Sequence, residues 1–176
     1  MIDPGWKILA KNKAQEVLDE VGDFLKIKAP VPIKEIIEHY VGDVHIVVRT
    51  DVNFPVGASA FAQKDMNLGW LIVVNGRECV ERQRFSLAHE LAHIVVPINP
   101  SERVYCTNGC NAWDEKLCDQ FAGDILMPEN MVREIYKSNP KPFIGDVAKT
   151  FKVSWPVAQI QLKKLGLPFR LNLKAG

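Results

Sequence analysis

Apolar residues recur at helical spacing near the start of the chain. Over 7–26 they occur at mixed three- and four-residue intervals, which predicts an amphipathic helix. A shorter helix is predicted over 33–41, because Pro32 opens it and Gly42 follows its end. The helical pattern returns at 79–96, where Pro97 stops it, at 114–126, and from Pro128 to about Lys137.

Three short segments carry a strand pattern instead. Residues 43–50 are rich in β-branched side chains, and 57–62 and 68–75 flank the turn KDMN as a predicted hairpin. We therefore expect an α+β fold, in which a small antiparallel sheet packs on a helical layer.

The last part of the chain has its own pattern. A proline-rich stretch at 138–142 is the clearest linker, and two short helical patterns over 143–166 are joined at Phe151–Ser154. Ser154 is placed to cap the second helix, so the tail resembles a helix-turn-helix. We predict a main domain over 1–140 and a helix-turn-helix-like appendage over 141–176, packed on it.

Charge and composition narrow the class of protein. With 22 basic and 21 acidic residues the net charge is +1, which gives no electrostatic case for general nucleic-acid or membrane binding. The longest apolar run, at 71–74, is far below the roughly 18 residues of a membrane span, and the N-terminus lacks a signal-peptide core. We expect a cytoplasmic protein with its cysteines as thiols. The single pair Cys106 and Cys110 cannot fill a tetrahedral structural site.

The helix predicted over 79–96 contains the motif His89-Glu90-Leu91-Ala92-His93. Histidines four residues apart lie on one helix face, so both imidazoles can bind one ion. Zn²⁺ held in this way lowers the pKa of a bound water and polarises a carbonyl, and Glu90 is placed to act as the base. The motif predicts a zinc hydrolase, against the alternative of a surface helix that binds nothing.

A catalytic zinc usually has three protein ligands, so a third must follow the motif. Residues 114–124 offer four acids, and Glu115 and Asp119 among them are one helical turn apart. We assign Glu115 as the third ligand and Asp119 as the acceptor for a ligating histidine's N–H. The alternatives are an exposed helix-start residue for Glu115 and a surface acid for Asp119.

At these residues the chain resembles the ImmA/IrrE family of metallo-endopeptidases. RQRFSLAHELAH at 82–93 and EKLCDQFAGDILMP at 115–128 are similar to two specific family blocks, and 146–167 is similar, less specifically, to the family's helix-turn-helix-like ending. The resemblance implies a gluzincin-like zinc peptidase with ligands His89, His93 and Glu115 and base Glu90. It also implies a substrate: a helix-turn-helix transcriptional repressor, whose cleavage relieves repression.

Two departures from the family pattern stand out. Cys118-Asp119 occupies the place where Ala-Asn is common, and Gln161 stands where the tail often has Arg. An aspartate can still orient a histidine, so the first change leaves the assignment of Asp119 intact.

Other functions and residues stay open at this point. The tail suggests a DNA-binding or scaffold regulator with a degenerate metal site. Against this alternative, the second helix of the tail has only Lys163 and Lys164 as cations. A zinc hydrolase that acts on non-peptide amides is a further alternative. Tyr105 or Tyr136 could stabilise an oxyanion. Arg82 and Arg84 could grip the substrate or hold the metal helix to its neighbours.

Overall fold

The computed structural model describes residues 5–54, 58–67, 69–96 and 112–171 and confirms the α+β class. The predictions for Tyr105, Cys106 and Cys110 lie outside these residues. The elements, in chain order, are α1 (Gly5–Leu25), α2 (Ile33–Val41), β1 (Val44–Arg49), β2 (Ala60–Asp65), β3 (Gly69–Asn75), α3 (Val80–Val95), α4 (Ala112–Leu126), α5 (Glu129–Ser138), α6 (Ile144–Phe151) and α7 (Trp155–Lys164).

The sheet is mixed, whereas the sequence predicted an antiparallel one. β3 is the central strand, with β2 antiparallel to it on one side and β1 parallel to it on the other. Two parallel strands need a connection that carries the chain back to the end of the sheet at which the first strand began. β2 and its connections lie between β1 and β3 in the chain and provide this return. The central position of β3 agrees with the burial of Ile72, Val73 and Val74.

The hairpin forms with a shifted first strand. We predicted this strand over 57–62, but it spans Ala60–Asp65 and pairs with Gly69–Asn75. The reason is a tighter turn, in which the Asp65 carboxylate accepts the backbone N–H of Asn67 at 2.7 Å. The strand therefore continues through two residues that the sequence had placed in the turn.

The helical layer is built around α4, which packs against both α1 and α3. Its buried face consists of apolar residues and one cysteine, namely Leu117, Cys118, Phe121, Ala122, Ile125 and Leu126. On another side α3 contacts β2 and β3, so that it lies between the sheet and α4. Residues on α3 are thereby held from two directions.

The tail forms the two predicted short helices, and Ser154 caps the second by accepting the Val157 N–H at 3.4 Å. α7 lies against α4, where the Asp124 carboxylate meets the ammonium of Lys164 and the amides of Gln120 and Gln161. The apolar cluster includes Leu162 of α7 together with residues of α4. The domain boundary at 140/141 stays a prediction.

No helix in the described part of the chain combines the length and apolar character that a bilayer crossing requires.

Position 69 requires a glycine because the start of β3 lies very close to Asp43, the residue before β1. Its φ is +76°, and a Cβ added there would lie 2.2 Å from the Asp43 carbonyl oxygen. We expect Gly69→Ala to lower the free energy of unfolding by about 2 kcal/mol or more, measured by urea denaturation. Gly22→Ala is the matched control, because its Cβ would meet nothing within 4 Å and lies in a helix, where alanine stabilises by up to about 1 kcal/mol. Equal effects of the two substitutions would contradict this account.

Candidate metal centre

The two motif histidines lie one turn apart on α3 and are largely buried. Their ring centroids are 4.9 Å apart, and their side chains are 15% and 12% exposed. Because α3 is packed between the sheet and α4, both rings are directed towards α4 rather than towards bulk water.

Glu115 of α4 faces both rings. The Nε2 atoms of His89 and His93 are 3.1 Å apart, and the Glu115 carboxylate oxygens lie 3.2 Å from the first and 3.6 Å from the second. Ligand atoms bound to one tetrahedral ion at 2.0–2.1 Å lie about 3.3–3.4 Å from each other. The three groups therefore fit the spacing of a shared metal ion.

Asp119 contacts the opposite nitrogen of His89. Its Oδ1 is 2.9 Å from Nδ1, and since a carboxylate only accepts, Nδ1 carries the proton. Burial lowers the pKa of His89, but the hydrogen bonds to Asp119 and Glu115 outweigh burial and raise the pKa to about 9. Burial and the neighbouring His89 charge lower the pKa of His93. These opposite shifts favour positive charge on His89 over His93.

Glu90 is buried on the same helix, where it lies near His89 and hydrogen-bonds to the Ala62 backbone of β2. Burial raises the pKa of its carboxyl to about 7, and the Glu115 charge adds to this, while the His89 charge and a hydrogen bond with the Ala62 backbone act in the opposite direction. A carboxyl with a pKa near neutrality can both accept and donate a proton in that range.

Cys118 is a member of the cluster that the sequence did not reveal. Its Sγ lies 3.4 Å from Nδ1 of His93, and it forms, with the two histidines, a group whose ligand atoms lie within 4.8 Å of one another. Burial raises the pKa of this thiol. The available signal was its position, three residues after Glu115 and directly before Asp119.

The remaining candidates have other partners. Arg84 donates to the backbone carbonyls of Val31 and Lys152, and Arg82 donates to Ser59, so both tie α3 to its surroundings. The Tyr136 hydroxyl donates to the Pro168 carbonyl in the tail. Asp124, one of the four acids considered as ligands, contacts α7 instead.

Comparisons with known proteins show the family and the fold of the chain. The model of a peptidase family described as the IrrE N-terminal-like domain matches residues 43–163. Among solved structures, a Mycobacterium tuberculosis transcriptional regulator superposes with a TM-score of 0.60 at 16% identity, covering 88% of this chain and 55% of the regulator. The chain thus spans about half the length of that protein, and the likeness shows the fold. No curated protein matches the sequence.

The buried Glu90 carboxyl should make stability depend on pH once metal has been removed with a chelator. The folded-state pKa of about 7 lies above the ordinary 4.5. The carboxyl's contribution to the free energy of unfolding is therefore fully present below pH 4.5 and is lost as the pH rises through 7. Relative to Glu90→Gln, the wild-type protein should lose on the order of 2 kcal/mol between pH 5 and pH 8, measured by urea denaturation. Parallel stability curves for the two proteins would contradict the shift.

Proposed function

Because the chain belongs to the peptidase family of the IrrE N-terminal-like domain, we propose that it is a zinc-dependent endopeptidase of narrow specificity. The observation that carries the proposal is the convergence of His89 Nε2, His93 Nε2 and the Glu115 carboxylate at the spacing of metal ligands. Two imidazoles and one carboxylate are a donor set that suits zinc and leaves a position open for water and substrate.

When bound, zinc would supply a Lewis acid that polarises the scissile carbonyl and acidifies a water. The protein supplies the proton transfers. Glu90 accepts the proton of the attacking water and delivers it to the amine leaving group. Its burial keeps the carboxyl close to the pKa at which both transfers are possible.

The outer edge of β2 supports a peptide as the substrate. The Asn75 N–H donates to the Ser59 carbonyl, and alternate residues of β2 bond to β3 in this register, so Ala60, Ala62 and Lys64 direct their backbone groups away from β3. Of these, Ala62 meets the Glu90 carboxylate. An extended peptide can add to such an edge through main-chain hydrogen bonds, which would place its backbone beside the base.

We further propose that the substrate is a helix-turn-helix transcriptional repressor and that the protein acts in the cytoplasm. The support is the family resemblance of the two motif blocks. The solved protein of similar fold is itself described as a transcriptional regulator.

The alternative function, a DNA-binding regulator, receives less support from α7. Lys164 is paired with Asp124, and the exposed side chains of this helix include Trp155 and Ile160. A helix that reads DNA presents cations and amides to phosphates and base edges. Chelator-insensitive binding to DNA would favour this alternative.

Removal of the base should separate metal binding from catalysis. We expect Glu90→Gln to lower the rate of repressor cleavage by about 10²- to 10⁴-fold while zinc content stays at the wild-type level. Cleavage is measured by mass spectrometry of a helix-turn-helix repressor encoded beside the gene, and zinc by elemental analysis. Glu134→Gln, which alters an exposed acid of α5, is the control. Equal cleavage by wild type and Glu90→Gln would refute the mechanism.

Loss of the third ligand should weaken metal binding itself. We expect Glu115→Ala to lower zinc affinity by more than about 100-fold, measured in competition with a chromogenic chelator. Loss of a residue that only hydrogen-bonds to a metal ligand costs about 10- to 100-fold in affinity, and loss of a ligand should cost more. Lys116→Ala, at the next position of α4, controls for changes in the helix. Wild-type affinity in Glu115→Ala would remove Glu115 from the ligand set.

A further inference from the structure

Two consecutive residues of α4 contact the outer nitrogens of the two histidines. Asp119 Oδ1 lies 2.9 Å from Nδ1 of His89, and Cys118 Sγ lies 3.4 Å from Nδ1 of His93. In each ring the other nitrogen, Nε2, faces Glu115. The two histidines therefore have similar environments, and in each of them a side chain of α4 lies beside Nδ1.

The position of the thiol is fixed by packing. Cys118 is fully buried on the face of α4 that contacts α3, beside Leu117, Phe121 and Ala122. A side chain with one rotatable bond in a packed core has little freedom. The distance from Sγ to His93 is therefore set by the packing of the two helices.

Direct metal ligation by Cys118 is the competing role, since its sulfur is close enough to both histidines to join a ligand set. The direction of the His93 ring opposes it. The thiol lies beside Nδ1, whereas Nε2 is the nitrogen that faces His89 Nε2 and Glu115. One imidazole cannot direct both nitrogens to the same ion.

We infer that Cys118 is a positioning residue for His93, whose Nδ1–H donates to the thiol sulfur so that the Nε2 lone pair is held towards Glu115. This inference rests on the proposed function. Sulfur is a weak acceptor, but it is neutral. It orients the ring without adding a fourth carboxylate to a site that already contains Glu90, Glu115 and Asp119.

The test compares Cys118→Ala with Cys118→Ser, because a hydroxyl can still accept from Nδ1 and a methyl cannot. We expect Cys118→Ala to weaken zinc binding about 10- to 100-fold in chelator competition, and Cys118→Ser to stay within a few-fold of wild type. Cys79→Ala, at an exposed position before α3, is the control. Urea denaturation of chelator-treated samples reports any general loss of stability.

The outcomes separate the possibilities. Equal zinc affinity in wild type and Cys118→Ala, or equal losses in the alanine and serine variants, would overturn the positioning role. Substitution with Co²⁺ should give no thiolate-to-metal charge-transfer band; such a band, lost in Cys118→Ser, would make Cys118 a ligand and overturn the inference while leaving a metal site. Failure of the wild-type protein to bind zinc would instead refute the proposed function, and the inference with it.

Discussion

The packing of α4 against α3 is the contact on which the site depends. α3 carries His89, Glu90 and His93, and α4 carries Glu115, Cys118 and Asp119, which contact the two rings. The contact is apolar, through side chains such as Leu91 and Phe121, so its geometry is set by close packing. A small displacement between these helices would alter all of the distances at the site together.

This packing also determines the electrostatics of the site. Burial disfavours the charged forms of Glu90 and His93, whereas hydrogen bonds to the Asp119 and Glu115 carboxylates favour the charged form of His89. Groups of one helix pair thus have pKa values displaced in opposite directions, by burial at Glu90 and His93 and by hydrogen bonding at His89, an arrangement that accompanies catalytic sites. A bound cation would favour the ionised carboxylates further.

Much of this structure follows from local sequence patterns. The helices, the hairpin and the cap at Ser154 follow from periodicity and turn chemistry, and the spacing of His89 and His93 fixes their common face. The parallel pairing of β1 with β3 could not be predicted, because strand order depends on contacts distant in sequence. The contact of Glu115 and Asp119 with His89 was predicted from chemistry and family resemblance. Cys118 was overlooked because its role depends on how two helices face each other.

The contacts of Asp124 with Gln161 and Lys164 limit how the protein can be truncated. Gln161 is 3% exposed and its amide lies so near Gly123 that a Cβ there would be 2.1 Å away. Truncation before α7 would leave the Asp124 carboxylate without these partners and expose an apolar side of the helix that also bears Glu115. A fragment ending at the proline-rich linker would therefore be a poor surrogate for the intact chain in any assay of the metal centre.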